Sequence, residues 1–362
     1  MATYRQVKGY NIKKVSSDPS NVKEGQIWYN SNSGAVKLGL KLEAWSSGGD
    51  VNTVAFLAAG AGTQNAALKA GGKPPNSGLQ ATEHYNGSSW TNGGNLGTAR
   101  YDIKGCGTQT AALAFSGFTQ PPASRKGETE EYNGTSWTES GDINAARRQA
   151  TGFGIQTAAV LAGGNVSTVN SEVEEYNGTS WSEVTNLPTA SRMGGSFGTL
   201  TAGLYMGGAS GPGTSIFAET YEYDGTNWTA GADLGTAVYS QGGSGTQTAG
   251  MLIGGWNGSS NTTTTNVYDG TTWVTNPSLA NTTSGNSTAT SAPPSTALTQ
   301  YSSDPNGTEE FSSAVTTRSV DVSWRIIKIY TGKELNFLHL ILVMHKQKDK
   351  YFIPPQMQPQ VP

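Results

Sequence analysis

The chain has 362 residues, 48 of them glycine, with only 14% charged residues and a formal net charge of −3. So much glycine, together with abundant Thr, Ser and Asn, suits short strands joined by tight turns and excludes a mainly helical protein. A single cysteine, Cys106, excludes an intramolecular disulfide, and the longest apolar run, Leu335 to Met344, is far short of the roughly 20 residues that cross a bilayer.

In chain order, Met1 to Lys14 is polar and basic and shows no apolar core of a secretory signal. Gly25 to Leu38 reads as a β-hairpin, two alternating strands around the polar turn Asn30-Ser31-Asn32-Ser33-Gly34. On its own it is a small cap at the edge of whatever follows. With Ser16-Ser17-Asp18-Pro19 ahead of it, the stretch resembles short hairpins in structural and tail-fibre-like proteins of tailed bacteriophages, marine ones in particular. That resemblance implies a virion component.

A repeat begins near residue 45. The phrase Tyr132-Asn133-Gly134-Thr135-Ser136-Trp137 returns at Tyr176 to Trp181 and, slightly altered, at Tyr85 to Trp90, Tyr223 to Trp228 and Tyr268 to Trp273. Asn-Gly or Asp-Gly between β-formers predicts a hairpin with a type I′ turn. Trp45, Trp90, Trp137, Trp181, Trp228 and Trp273 are spaced by 45, 47, 44, 47 and 45 residues. From each of the first five Trp to the second residue of the next Gly-Gly is always 27, so the length variation is confined to the stretch after Gly-Gly. A period near 45 with four strands predicts a propeller blade. Strand a leads into the Gly107-Thr108-Gln109-Thr110 turn, strand b runs to Gly117, strand c ends at Tyr132 and strand d starts at Trp137. Small residues in strands a and b suit the crowded inner end of a blade. Cys106 aligns with Ala61, Phe153, Phe197 and Ser244, which predicts a buried strand position for it.

The order Gly-Gly, Glu-Glu-Tyr, Trp, then Arg ten or eleven residues on resembles a degenerate kelch repeat over residues 45 to about 323. The resemblance implies a kelch-like β-propeller. Ser116-Gly117 replaces one Gly pair, and the Arg is missing after Trp45 and Trp228. The sixth repeat departs furthest: Thr299-Gln300 stand for Gly-Gly, Phe311 for Tyr and Thr316 for Trp. Trp45 meanwhile is a strand d with no blade ahead of it. Either the strand around Lys41 to Ser47 completes the sixth blade, or Arg318 to Ser323 does. The expected fold is therefore all-β: a six-bladed propeller of four-stranded blades over 45–323, an N-terminal segment 1–44 holding the 25–38 hairpin, and a C-terminal extension over 324–362. The extension changes composition abruptly and reads either as a partner-binding segment or as a loosely ordered tail.

The ring segment carries ten Lys or Arg against 21 acids, so it lacks the concentrated basic face that nucleic acid needs. Catalytic signals are sparse. Histidines are His84, His339 and His345, two of them in the tail, and His84 is expected to face solvent beside Tyr85. Neither a metal nor a cofactor is expected from that inventory. Asp224-Gly225 and Asp269-Gly270 are expected as turn residues.

What remains is a binding face. In a four-stranded blade the d-a and b-c connections share one end, and here the b-c loops vary: Lys73 to Leu79, Phe118 to Lys126, Asn165 to Asn170, Ala209 to Phe217 and Trp256 to Asn261. Phe118, Phe217 and Trp256 are the candidate apolar contacts, and Arg100, Arg147, Arg148 and Arg192 on the d-a connections the polar ones. The competing reading makes the arginines struts that pair with neighbouring acids such as Asp102 or Asp142. The expected activity is non-enzymatic recognition by a tail-associated virion protein. Its expected partners are a host-surface glycan or protein and other virion proteins, without nucleic acid or membrane insertion; homo-oligomerisation stays open. An intracellular kelch-type adaptor in the cytoplasm is the alternative, and a carbohydrate-active enzyme a third class.

Overall fold

The computed structural model of the chain describes residues 13–17, 27–32, 35–39, 45–74, 77–211, 215–276 and 278–279, and beyond these only short strands at 284–288, 298–302, 311–314, 319–320, 346–347 and 350–351. Side chains are described at 13–17, 29–32, 48–74, 77–211, 215–276 and 278–279. Most of the C-terminal extension lies outside the described residues, as do the side chains of Trp45 and Phe311. The chain divides into two compact units, one of residues 1–18, 27–37 and 321–362, the other of 19–26 and 38–320. In the first unit Lys13–Val15 runs parallel to Ile27–Asn30, and Ile27–Asn30 also pairs with Ala35–Gly39 as the hairpin read from sequence.

The second unit is a β-propeller of four-stranded antiparallel blades. Blade 1 runs a to d as Ala59–Thr63, Ala66–Ala70, Thr82–Tyr85 and Trp90–Asn92. Blade 2 is Lys104–Thr108, Ala111–Phe115, Thr129–Tyr132 and Trp137–Ser140. Blade 3 is Thr151–Ile155, Ala158–Asn165, Val169–Tyr176 and Trp181–Val184. Blade 4 is Gly195–Thr199, Ala202–Met206, Thr220–Tyr223 and Trp228–Ala230. Blade 5 is Gly242–Thr246, Ala249–Ile253, Thr265–Tyr268 and Trp273–Asn276. Strand a of each lies against strand a of the next.

Five blades, not the six expected, stand complete with their side chains. Of the remaining repeat only backbone pairing is described: Ser284–Thr288, Leu298–Ser302, Phe311–Ala314 and Trp45–Ser47 form one sheet in that order, with Ala314 opposite Trp45. Ser319–Val320, the rival for that place, pairs instead with Leu38 and Gly39.

The recurring hairpin is not the two-residue type I′ turn expected from Asn-Gly. Tyr132 pairs directly with Trp137, leaving a four-residue loop in which only the glycine takes positive φ, 93° at Gly134. The Asn133 carboxamide oxygen accepts the Thr135 and Ser136 amides at 2.9 Å each, closing the loop from its first residue. Asp224 and Asp269 do the same with their carboxylates, which confirms their turn role. Each hairpin then stacks its Tyr on its Trp, with ring centroids 4.5 to 5.1 Å apart.

Three kinds of side-chain strap join successive blades, all three of them between blades 2 and 3 and between blades 4 and 5, and they account for most of the repeated wording. Blade 4 keeps only the Tyr strap to blade 3, because Leu200 stands in place of the Gln and Trp228 donates to the Thr185 carbonyl instead of a Thr hydroxyl. The Trp indole N–H reaches back to the Thr that opens strand c: Trp137 to Thr82 and Trp181 to Thr129 at 2.9 Å, Trp273 to Thr220 at 3.1 Å. The Tyr hydroxyl reaches the second Glu of the Glu-Glu-Tyr word, or its counterpart, one blade back: Tyr176 to Glu131 and Tyr223 to Glu175 at 2.7 Å, Tyr268 to Glu222 at 2.5 Å. The Gln of the a-b turn donates to two carbonyls, one in strand b and one in strand c of the previous blade: Gln109 to Ala67 and Tyr85, Gln156 to Ala112 and Tyr132, Gln247 to Gly203 and Tyr223.

The first junction breaks the Tyr rule. His84 stands where the others place Glu, edge-on to Tyr132 at 5.4 Å, and both its Nε2 and the Tyr132 hydroxyl are buried without a partner. His84 is thus turned toward blade 2 rather than free in solvent as its sequence position suggested, and burial holds its pKa below the ordinary histidine value. Cys106 is fully buried in strand a of blade 2, as expected, with burial pushing its thiol pKa up.

Candidate recognition face

Bridges between single residues place the d-a and b-c connections at one end of the ring. Counting from each Trp, the residue 11 positions on faces the residue 28 positions on: Phe56 with Lys73, Tyr101 with Phe118, Arg148 with Asn165, Arg192 with Ala209, Tyr239 with Trp256. These ten residues therefore recur blade by blade at one end. The next residue in every d-a connection, Leu57, Asp102, Gln149, Met193 or Ser240, is a non-glycine with φ between 54° and 59°. Left-handed backbone costs such residues energy, and the surrounding bonds hold it. Ser240 N–H donates to the Met193 carbonyl and Met193 N–H to the Gln149 carbonyl, both at 2.7 Å, linking blades 3 to 5.

The arginines named from sequence divide into two sets. Arg100 and Arg147, ten positions after their Trp, are fully buried. Arg100 pairs with Glu130 at 2.8 Å and also donates to the Ser116 and Glu128 carbonyls; Arg147 pairs with Glu174 at 2.5 Å. Lys69 and Glu83 make the corresponding pair in blade 1 at 3.5 Å. Each of these acids also accepts a backbone N–H from the d-a connection, at Asn52 and Thr53, Gly97 or Asn144. The geometry of Arg100 and Arg147 is that of struts, with partners in strand c of their own blade rather than Asp102 or Asp142. Burial lowers the Arg100 pKa, and the Glu130 charge opposes that shift.

Arg148 and Arg192, one register later, are only half-buried at the channel mouth. Successive residues of an extended chain point opposite ways, so one step carries the side chain from the blade interior to the face. The Arg148 guanidinium lies 4.4 Å from the Phe118 ring centroid, and Phe118 meets Tyr101 edge-on at 5.5 Å. Lys73 Nζ sits 4.8 Å above the Tyr101 ring. Arg192 donates to Gln149 Oε1 at 2.7 Å. Phe217 and Trp256 are half-buried on blades 4 and 5. From sequence Lys73 stood only as the start of a b-c loop and Asp102 only as a strut partner, while Tyr101, Lys104 and Tyr239 were missed; the counts of 11, 12, 14 and 28 from each Trp would have placed all five at this end.

Inside this ring a cavity of about 30 Å³ opens between the starts of the inner strands, room for about two waters. Lys104, Thr151, Ser196 and Gln241 give it polar walls, and glycines such as Gly60, Gly105 and Gly195 leave the space. Thr151 and Ser196 hydroxyls bond each other at 2.8 Å, while Gln241 donates to the Met206 carbonyl and keeps its Oε1 buried and unpartnered. No cluster of His, Cys, Asp or Glu able to hold a metal occurs among the described residues. No helix among them is long and apolar enough to cross a membrane.

No family model matches the chain, and no curated protein matches it. Among solved structures, that of YjhT is similar with a TM-score of 0.59 at 14% identity, covering 78% of this chain and 99% of that one. At such an identity the likeness bears on the fold alone, and it supports the β-propeller.

Proposed function

We propose that the chain is a six-bladed, non-enzymatic recognition propeller that holds a host-surface glycan or protein at the d-a and b-c end, as a tail-associated component of a phage virion. The observation that carries this reading is the pair of register positions around the channel mouth. Their backbone bridges repeat from blade to blade, while their side chains change from Phe56 and Lys73 to Arg148 and Asn165 to Tyr239 and Trp256. A constant frame presenting varied cations and aromatic planes suits ligand recognition. Six blades are supported by the pairing of Trp45–Ser47 with Phe311–Ala314, and by Ser284–Thr288 lying beside strand a of both blade 5 and blade 1. The virion assignment is supported by the resemblance of the N-terminal hairpin.

The test is binding of the labelled full chain to a panel of bacterial cells and to an array of bacterial surface polysaccharides. The variant Arg192→Ala/Trp256→Ala should lose at least tenfold in affinity, since a charge-assisted contact contributes about 1.5–3 kcal/mol. Unchanged binding by that variant would remove the face. Antibody raised against the chain should decorate the tails of purified particles; label confined to the cytosol of infected cells would favour an intracellular adaptor.

A further inference from the structure

The channel mouth gathers positive charge in a ring segment whose overall balance is acidic, ten basic residues against 21 acids. Lys104, Arg148, Lys73 and Arg192 all lie within electrostatic reach of one carboxylate, Asp102, which is 5% exposed. None of the four comes within 4 Å of an acid among the described residues, where the ion pairs are made by Lys69, Arg100, Lys126 and Arg147. Burial pushes the Asp102 pKa up and the Lys104 pKa down, each opposed by the other's charge. One carboxylate against four cations leaves the mouth short of negative charge.

The donors are also short of acceptors. Arg148 Nε and Arg192 Nε are buried without partners, and Arg192 commits a terminal nitrogen to Gln149. Arg148 stacks on Phe118 and Lys73 on Tyr101, contacts that fix the cations through aromatic faces and leave their N–H groups for something else. Arg125 braces Asn165, opposite Arg148, through bonds of 3.1 Å to its carbonyl and 2.9 Å to its Oδ1. Lys104, which shares Asp102 with Arg148, lines the cavity between the starts of the inner strands.

We propose that the mouth is an oxyanion site, in which Arg148 and Lys104, flanked by Lys73 and Arg192, take a carboxylate or phosphate group of the ligand. Guanidinium forks match the paired oxygens of such groups, and an ammonium supplies a point charge beside them. The assignment rests on the reading of this end as the recognition face and names the chemistry that the face selects.

Sodium phosphate and sodium acetate, each titrated into the full chain at fixed ionic strength with calorimetric readout, test it. Saturable binding of at least one is expected, weakened tenfold or more in Arg148→Gln and in Lys104→Met but unchanged in Lys14→Ala, an exposed cation of the other compact unit. Preference for acetate identifies a carboxylate, preference for phosphate a phosphate group. No saturable binding of either anion, or equal binding by all three variants, overturns the proposal. Should Lys104→Met fail to fold, Arg148→Gln alone decides, because its side chain is only half-buried. Anion binding without attachment to any cell or polysaccharide would leave the site standing and remove the recognition reading; attachment that survives both variants would do the reverse.

Discussion

Arg147 and Arg148 are neighbours in sequence with opposite surroundings. Replacing Arg147 by Ala leaves Glu174, 1% exposed, without its counter-charge, and uncompensated buried charge costs about 3–5 kcal/mol. Arg148→Ala removes no ion pair and should cost under about 1 kcal/mol. Urea titration of both variants reads the difference, and equal destabilisation would contradict the division into strut and face. Sequence alone groups these residues because both follow Trp at nearly the same distance. The one-residue step becomes legible only when Arg100 and Arg147 are counted at 10 and Arg148 and Arg192 at 11. Even then, which register is buried depends on Glu130 and Glu174, 30 and 27 residues downstream of Arg100 and Arg147 respectively.

A Cβ added to Gly250 would lie 1.9 Å from the Phe197 ring of the preceding blade, so Gly250→Ala should destabilise by about 1–3 kcal/mol through overpacking. His84→Glu should act in the opposite direction. It restores an acceptor to the buried Tyr132 hydroxyl in the pattern of Glu131 with Tyr176, and should gain about 1 kcal/mol at neutral pH; a lower urea midpoint would show that the strap is not what His84 lacks. Alkali tests the straps together. Burial, with Glu131 accepting the hydroxyl and Ser140 opposing, pushes the Tyr176 pKa up to about 12, and Tyr223 and Tyr268 are raised for the same first reason. A folded pKa above the ordinary value of about 10 means full stabilisation below pH ~10, lost as pH climbs toward ~12. Stability should therefore fall through that window, with a smaller slope in Tyr176→Phe; a flat profile would contradict the strap. The strands and their order were legible because Tyr, Trp and Gly-Gly recur at fixed offsets. The straps were not, because each joins residues 24 to 55 apart whose pairing exists only once the blades are stacked.

For the whole molecule, the Trp straps make ring closure testable. Trp137, Trp181 and Trp273 each bond the Thr opening strand c one blade back, so a closed six-bladed ring predicts the same bond from Trp45 to Thr265. Trp45→Phe and Thr265→Val should then couple by about 0.5–1.5 kcal/mol in a double-mutant cycle. Additive effects would mean that Trp45 closes nothing. Bulk attached at each end of the propeller tests which end is the recognition face. Cys106 is buried with its thiol pKa raised, so an engineered exposed cysteine should be the one that reacts with a polyethylene glycol maleimide. Ser259→Cys places that bulk on the b-c loop of blade 5, and Thr226→Cys places it on the c-d turn of blade 4 at the opposite end; both positions are exposed. Attachment to cells should be abolished by the label at 259 and retained with the label at 226, whereas retention at 259 with loss at 226 would place recognition at the wrong end of the ring.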